Sequence, residues 1–195
     1  MVRAVARTEI KGQGLQGALA ALKKLKGEEG YQQVLSSLKS TELKDLIQRG
    51  GIVPVGWYPL EWYADLHGAV REHFGLATSH EMGAEGVRND VKSVFRFVLG
   101  FASPQMVLRM SAWLFGSYLR GARLEWSPVA GKDNLLEVRV YDCYGANEAF
   151  WEDTAGSIEA FIEASGGKNP KMTLQQWGRD LDHRAVWTLT WGQGA

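Results

Sequence analysis

The sequence predicts an α+β fold in which the helix-rich N-terminal two-thirds of the chain packs on an antiparallel sheet of about four strands. Up to about residue 121, apolar residues recur at steps of three or four, which is typical of amphipathic helices. Beyond residue 122, apolar and polar residues alternate, as they do in half-buried strands. These late segments come in the order strand, strand, helix, strand, strand, and that order favours an antiparallel sheet with helices on one face.

We expect a single domain over residues 1–195. A chain of 195 residues buries roughly 70% of the surface that it exposes when unfolded, which is enough for a core without disulfides or metal. No internal repeat, low-complexity tract or long linker divides it. Three consecutive parts are predicted: an N-terminal strand and helices in 1–50, central helices in 51–121, and the antiparallel sheet with one helix in 122–195.

The N-terminal part begins with weak alternation over residues 2–10, which predicts a strand with one polar face. Leucines at helical spacing then predict a helix over 15–25, and a second helix follows over 31–38. Ser40 is a suitable N-cap for a third helix over 41–48, because a serine hydroxyl accepts hydrogen bonds from first-turn amides.

Proline and capping residues mark the helix starts of the central part. Pro59 suits the first turn of a helix whose apolar stripe reaches Phe74, because the amide that proline lacks would be unpaired there. Thr78 and Glu81 have the spacing of a capping box and predict the start of a helix that reaches about Phe101.

The remaining elements follow from caps and alternation in the same way. The first is a helix that begins at Ser103 and Pro104 and ends at Gly121, and strands near 124–128 and 136–140 follow it. Asn147 then caps a helix from 148 to about 165, and the last two strands cover 172–179 and 184–191. The last strand alternates apolar residues with threonines, which predicts one buried face.

Charge and cysteine content exclude several classes of protein. Lys plus Arg and Asp plus Glu both number 22, so no net field attracts nucleic acid. No apolar run approaches the roughly 20 residues that span a bilayer, and the first residues lack the pattern of a secretory signal, so we expect no membrane insertion. The single cysteine, Cys143, forms no internal disulfide, which fits a reducing, cytoplasmic location.

Aromatic residues are in excess, with eight Trp, seven Phe and six Tyr, and such rings build either tightly packed cores or apolar binding surfaces. His67 interrupts the apolar stripe of the first central helix, where a lone imidazole is either satisfied within the core or contacts a ligand. If a pocket is present, we expect it between the central helices and the sheet. Its candidate walls are Trp57, in a proline-framed loop, and Tyr63, His67, Trp113 and Tyr118.

No assembled catalytic or metal-binding motif is recognisable, and we assign no catalytic residue, metal or cofactor. The four histidines and Cys143 lack the spacing of zinc ligands. Gly12, Gly14 and Gly17 have the Gly-x-Gly-x-x-Gly spacing of dinucleotide-binding loops, but a charged segment precedes them and no βαβ unit follows. Cys143 is the candidate nucleophile, although the neighbouring Asp142 opposes thiolate formation, and a structural buried thiol is the alternative.

Four motifs between residues 50 and 191 occur in a recognisable order. They are Trp57-Tyr58-Pro59 before a helix, a glycine-containing helix from Glu81, Ser103-Pro104 before Leu108-Arg109-Met110, and the terminal run Ala185-Val186-Trp187-Thr188-Leu189-Thr190-Trp191. This order resembles a paralogous family of unknown function that is expanded in myxobacteria. The resemblance implies a short single-domain protein without an assigned activity.

The helical first half and the late strand order are also similar to the vinyl-reductase-type ligand-binding domains and to the transport-particle (TRAPP-like) subunits that share their fold. This similarity implies a domain that binds a small apolar ligand or a partner protein without turnover. The cysteine-rich metal motif of some members is missing, because Cys143 is the single cysteine. The Tyr-x-Ser-x-Arg haem motif of the related nitric-oxide sensors is missing too, so neither metal nor haem carries over.

Three functions remain open from the sequence. The leading hypothesis is a non-enzymatic cytoplasmic sensory or interaction domain that binds a small apolar ligand in an aromatic-lined pocket. The second is a homodimer or protein–protein adaptor whose exposed aromatic residues form the interface. The third is an enzyme that uses Cys143 or His67.

Overall fold

Six helices and two antiparallel sheets make up the part of the chain that the computed structural model describes, which is residues 7–93, 103–132, 135–178 and 184–192. The class is α+β, as predicted. Within these residues, no helix combines the length and hydropathy that a membrane crossing requires. The helices are α1 (Gly12–Ser36), α2 (Thr41–Gln48), α3 (Leu60–Phe74), α4 (Leu76–Ser93), α5 (Pro104–Tyr118) and α6 (Glu148–Ala164).

The larger sheet has four antiparallel strands, as predicted. Two neighbouring strands precede α6 in the chain and two follow it, so the predicted order of strand, strand, helix, strand, strand is confirmed. In the last strand, Ala185, Trp187 and Leu189 are completely buried, because alternate residues of a strand share one face. With the numbering that follows, the strand order is β4-β5-β7-β6, where β4 is Arg123–Pro128, β5 is Leu135–Tyr141, β6 is Lys168–Gly178 and β7 is Arg184–Gly192.

A smaller sheet joins three distant segments of the chain. β1 (Glu9–Lys11) pairs antiparallel with both β2 (Trp57–Pro59) and β3 (Leu119–Arg120). The strand predicted over 2–10 therefore starts later and is shorter within the described chain, and residues 2–6 lie outside it. The segment at Trp57 was predicted as a loop and is a strand. Backbone pairing with β1 stabilises its extended conformation, and no local alternation of apolar and polar residues predicts it.

Thr8 fixes the start of β1 to the end of β5. Its side chain is completely buried, its Oγ1 donates to the carbonyl of Asp142 at 2.9 Å, and the same atom accepts from the amide of Tyr144 at 2.8 Å. A buried hydroxyl that both donates and accepts is fully satisfied. The two sheets are therefore linked through one side chain.

α1 contains both helices that were predicted over 15–25 and 31–38. Gly27 interrupts its regular geometry with φ +70° and ψ −175°, a conformation that glycine adopts without a Cβ clash. The chain turns at this residue and resumes the helix, which ends at Ser36. The predicted break between the two helices is thus a kink.

Three predicted helix caps are confirmed. Ser40, Ser103 and Asn147 each accept a hydrogen bond from the backbone amide three residues later, at 3.1, 3.3 and 2.9 Å. Each bond satisfies an amide that has no partner inside its helix. The starts of α2, α5 and α6 are therefore set by local chemistry.

The predicted cap at Thr78 is wrong. α4 begins at Leu76, and Thr78 Oγ1 donates to the carbonyl of Phe74 at 3.0 Å. Gly75, with φ +81°, turns the chain so sharply that α4 follows α3 after a single residue. The predicted end of this helix near Phe101 lies outside the described residues.

α4 and α6 cross so closely that each needs a glycine at the contact. A Cβ atom on Gly83 would lie 2.0 Å from the carbonyl oxygen of Asp153, and one on Gly156 would lie 2.0 Å from the carbonyl oxygen of His80. Side chains cannot fit at either position, so the two backbones pack directly against each other. This crossing forms one side of the interior.

Candidate functional site

A partly open cavity of about 160 Å³ lies among the helices. α1, α3, α4, α5 and α6 all contribute to its wall, and Ile10, Leu119 and Leu124 line it from the strands. Most of the lining is apolar, and bulky members are Met82, Leu114, Phe115, Phe150, Phe161 and Ile162. An apolar cavity of this size holds a guest about as large as benzene.

Glycine leaves part of this space open. Gly17 of α1 and Gly86 of α4 both line the cavity, and a Cβ atom at either position would meet no atom within 4 Å. At Gly83, one turn before Gly86, the α6 backbone instead occupies the space that a side chain would need. Helix α4 therefore uses one glycine for close packing and another to bound the cavity.

One polar cluster of the lining joins α1, α4 and α5. Asp90 accepts a hydrogen bond from Gln13 Nε2 at 3.3 Å and a short one from the hydroxyl of Tyr118. Burial, and then the bond to Asp90, raises the pKa of Tyr118 far above its ordinary value. Tyr118 is therefore a neutral donor that is committed to this carboxylate.

A second polar cluster joins α3 and α6. The hydroxyl of Tyr63 donates to Asp153 Oδ2 at 3.1 Å. His67 Nε2 lies 3.5 Å from Asp153 Oδ1 without hydrogen-bond geometry, and neither ring nitrogen of His67 has a hydrogen-bond partner. Asp153 is 6% exposed and His67 is completely buried, so both ionisable groups lie in an apolar environment.

Burial sets the protonation states of this cluster. Loss of solvation raises the pKa of Asp153 to about 7, while the bond from Tyr63 and the charge of His80 oppose part of that rise. Loss of solvation lowers the pKa of His67 to about 3. The pKa of Tyr63 is raised by burial first and by Asp153 second. Below about pH 7, the uncharged forms of the acid, the imidazole and the phenol therefore predominate.

The charge of the lining has one sign. Among the described residues, the charged ones of the lining are Asp90 and Asp153, and the lining itself contains no Lys, Arg or His. The same residues also contain no group of three or more His, Cys, Asp or Glu side chains that could hold a metal. Such a cavity disfavours anions and accepts neutral or cationic guests.

The five residues expected to wall a pocket are distributed over four places. Tyr63 and Tyr118 line the cavity. His67 is completely buried and packs on Tyr63 with ring centroids 4.6 Å apart, outside the lining. Trp57 belongs to β2, where an arginine guanidinium lies 4.0 Å from its ring centroid, and Trp113 is 63% exposed on α5.

The cavity lies mainly between helices, whereas a pocket was expected between the helices and the sheet. The rings of Trp151 and Trp187 fill that interface, with centroids 5.4 Å apart in an edge-to-face arrangement. Both tryptophans are almost completely buried. The larger sheet contributes Leu124 to the lining.

Sequence reasoning missed the two acids. Asp153 follows Phe150 and Trp151 on the buried side of α6, and an acid on an apolar helix face is the signal that could have found it. Asp90 follows Arg88 and Asn89, and a run of three polar residues is typical of an exposed surface. Its place on the cavity depends on how α1 and α5 pack, which no local pattern shows.

The other motifs singled out in the sequence are structural. Cys143 is 1% exposed, and burial raises the pKa of its thiol, so the thiolate is disfavoured. Gly12 donates its amide to the carbonyl of Gly56 at 2.8 Å, and a Cβ on Gly12 would lie 2.0 Å from the carbonyl oxygen of Val53. The chain's own backbone therefore occupies the space where a phosphate would bind.

Solved structures with this arrangement of helices and strands match almost the whole chain. An H-NOX mutant from K. algicida, in the Fe(II) unliganded form, matches with a TM-score of 0.68 at 10% identity and covers 94% of this chain and 97% of that chain. The fold is the H-NOX fold. An oxygen-binding H-NOX domain related to soluble guanylate cyclases has a TM-score of 0.63 at 15% identity, with 95% and 96% covered. A mutant H-NOX from T. Tengcongensis has a TM-score of 0.64 at 15% identity, with 95% and 100% covered.

The H-NOX fold corrects both resemblances drawn from the sequence. These structural neighbours are H-NOX domains, and not vinyl-reductase-type domains or transport-particle subunits. No protein-family model and no curated protein matches the chain, so the resemblance to a myxobacterial paralogous family has no support. The late order of strands and helix misled the comparison because the H-NOX fold of this chain has that order as well.

The fold implies haem, since solved H-NOX structures include a study of haem distortion in the family. Proteins hold haem iron with His, Cys, Tyr or Met. Within the described lining there is no His or Cys, and the hydroxyls of Tyr63 and Tyr118 are bonded to Asp153 and Asp90. Met82 is then the remaining candidate ligand for haem iron in the described lining, and the lining contains no imidazole that could act with it. The acidic residues of the lining would also repel the carboxylates of haem. The described residues do not fit haem.

Proposed function

We propose that this chain is a non-enzymatic sensory domain that binds a small apolar molecule in its interior cavity, without haem. The observation that carries the proposal is an apolar, partly open cavity of about 160 Å³ that five helices line. The H-NOX fold supports it in general terms, because one matching structure is an oxygen-binding domain. Oxygen binding belongs to that protein, and we propose that this chain also binds a small molecule.

Filling the cavity is favourable for a physical reason. Lining atoms beside an empty space lack dispersion partners on one side, and a guest supplies them. An engineered cavity of about 150 Å³ in another protein stays dry and binds benzene or xenon. The ceiling for small ligands is about 1.5 kcal/mol per non-hydrogen atom, or about 10 kcal/mol for the seven atoms of toluene, and we expect affinities well short of that ceiling, in the micromolar to millimolar range.

The lining does not favour catalysis. Ser111 Oγ has no hydrogen-bond partner, so no base stands ready to activate it. Tyr63 and Tyr118 donate to carboxylates and have raised pKa values. Cys143 and His67, the residues of the enzyme hypothesis, are both outside the lining. A binding function needs none of these groups to react.

Toluene binding, measured by thermal unfolding and calorimetry, tests the proposal. We expect toluene to raise the unfolding temperature of the natural sequence, since a ligand of the folded state stabilises it by mass action. Gly86→Leu adds a side chain to the cavity wall, where a Cβ atom meets open space, and we expect at least a tenfold loss of toluene affinity.

Gly116→Leu is the matched control. Gly116 is also a helical glycine with open space around its Cβ position, but it is exposed on α5 and lies outside the lining. This variant is expected to bind toluene as the natural sequence does. The absence of any response to small apolar probes, or an equal loss in both variants, would contradict the proposal.

A second function is favoured by exposed apolar side chains on α5. Met106 is 48% exposed and Trp113 is 63% exposed, and residues seven apart lie on the same helix face. We propose this face as the contact surface between two copies of the chain. Light scattering should then show a mass that rises with concentration and falls in Trp113→Ser. A monomer at every concentration would contradict self-association.

A further inference from the structure

The acid of the second polar cluster is buried without a cationic partner. Asp153 is 6% exposed, and its ion-pair partner among the described residues is the neutral imidazole of His67 at 3.5 Å. Its other oxygen accepts from the hydroxyl of Tyr63. Because a buried carboxylate without a paired cation is costly, a positive group in contact with Asp153 would stabilise its ionised form.

There is room for a cation beside this carboxyl group. Asp153 lines the cavity, and its neighbour across the crossing is Gly83, where a Cβ atom would lie 3.0 Å from Asp153 Oδ1. The α4 backbone therefore packs against this side of Asp153, and the space for a cation lies on the side of the residue that lines the cavity.

Aromatic rings lie next to the same position. Tyr63 and Phe150 both line the cavity, and their rings meet edge to face with centroids 6.1 Å apart. An aromatic face attracts a cation within about 6 Å of its centroid. The surroundings of Asp153 thus combine a carboxylate for a positive group with apolar rings for a hydrocarbon.

We propose that Asp153 makes the cavity selective for a small apolar amine, whose ammonium group pairs with the carboxylate while its hydrocarbon part fills the apolar remainder. This inference rests on the proposed function and names its ligand class. An ammonium supplies three donors and the positive charge. Anions are excluded because both charged residues of the described lining are acidic, and a neutral hydrocarbon binds while leaving Asp153 unpaired.

Three probes of similar shape test the proposal by calorimetry at neutral pH. They are benzylamine, its uncharged isostere ethylbenzene, and the anion benzoate. We expect benzylamine to bind at least tenfold more tightly than ethylbenzene, and benzoate to show no binding. In Asp153→Asn, which keeps an acceptor for Tyr63, we expect benzylamine to lose at least tenfold in affinity and ethylbenzene to change by less than about threefold.

A pH series on the natural sequence needs no variant. The groups that face Asp153 are Tyr63 and His67 from α3 and His80 from α4, and the last of these pairs with Glu159 at 3.0 Å. The pKa of Asp153 is about 7, so at lower pH the carboxyl must lose a proton before it can pair with an ammonium. Benzylamine affinity should fall up to tenfold per pH unit below about pH 7, while ethylbenzene affinity stays constant.

The outcomes separate the two proposals. If ethylbenzene binds and benzylamine binds no more tightly, amine selectivity is wrong and the apolar binding function stands. If none of the three probes binds, both proposals fail. If Asp153→Asn does not fold, the pH series decides, and a benzylamine affinity that does not change with pH overturns the role of Asp153.

Discussion

Asp153 and His67 are buried neighbours whose pKa values move in opposite directions for the same reason. Burial disfavours the charged form of each, so the pKa of the acid rises to about 7 and that of the imidazole falls to about 3. Between about pH 4 and pH 7, folded Asp153 holds a proton that the unfolded chain releases. Below about pH 6.5, the unfolded chain binds a proton that folded His67 does not. Over this range the two effects on the free energy of unfolding oppose each other.

The variant Asp153→Asn is expected to show this balance. In the natural sequence, the contribution of Asp153 to the free energy of unfolding falls as pH rises from about 4 to about 7. The variant lacks this loss. Its free energy of unfolding, relative to that of the natural sequence, should therefore rise by up to about 1.4 kcal/mol per pH unit and become constant above pH 7. Urea unfolding across this range measures the difference.

His80 changes this comparison only slightly. Its pKa is raised first by the hydrogen bond to Glu159, which both proteins keep, and least by the charge of Asp153, which the variant lacks. A difference between the two proteins that stays constant from about pH 4 to about pH 8 would show that Asp153 titrates normally in the fold.

At the scale of elements, the crossing of α4 and α6 depends on two positions without side chains. Gly83→Ala and Gly156→Ala each place a Cβ atom against a backbone oxygen that a rotamer change cannot move. We expect each to lower the free energy of unfolding by about 3 kcal/mol or more, because the helices must separate. Urea unfolding gives the value.

Gly86→Ala, one turn along the same helix, is the control for helix propensity. A Cβ atom there meets no atom within 4 Å, so the substitution should be neutral or stabilising by up to about 1 kcal/mol. Equal effects at positions 83 and 86 would mean that propensity, and not the close contact, controls the stability of this crossing.

Local chemistry explains which elements the sequence predicts. The caps Ser40, Ser103 and Asn147 were predicted because a side chain and the next few amides are sufficient to form them. β2 and β3 were not predicted, since strands of three and two residues are too short for alternation and are held by pairing with β1. Pairing between distant segments leaves no local signal.

At the scale of the whole molecule, periodicity predicted the α+β class and the four-stranded sheet but not the H-NOX fold. At identities of 10 to 16%, matching structures share the path of the chain and few of its residues. The sequence did not predict which residues of α5 line the cavity either. Trp113 fits the spacing of α5 as well as Tyr118 does, and only the packing of α5 decides that Tyr118 faces the interior while Trp113 is exposed.

Titration of the whole protein with haemin tests the disagreement between fold and lining. We expect no one-to-one complex with the sharp absorbance band of axially ligated haem, because the described wall has no His or Cys and is acidic. Toluene, measured alongside, should still raise the unfolding temperature. A stoichiometric haem complex that excludes toluene would show that a ligand set beyond these residues holds iron.

The small sheet and Thr8 also determine when the molecule can be completed during synthesis. β1 pairs with residues 57–59 and 119–120, and Thr8 bonds to Asp142 and Tyr144. Contacts between such distant residues close large loops and slow folding. The first strand therefore leaves the ribosome before any of its partners, and the contacts of residues 8–11 are complete only after residue 144 of 195 has been made. Because Ile10 of that strand and residues up to Ile162 line the cavity, the cavity is one of the last features that forms as the chain is synthesised.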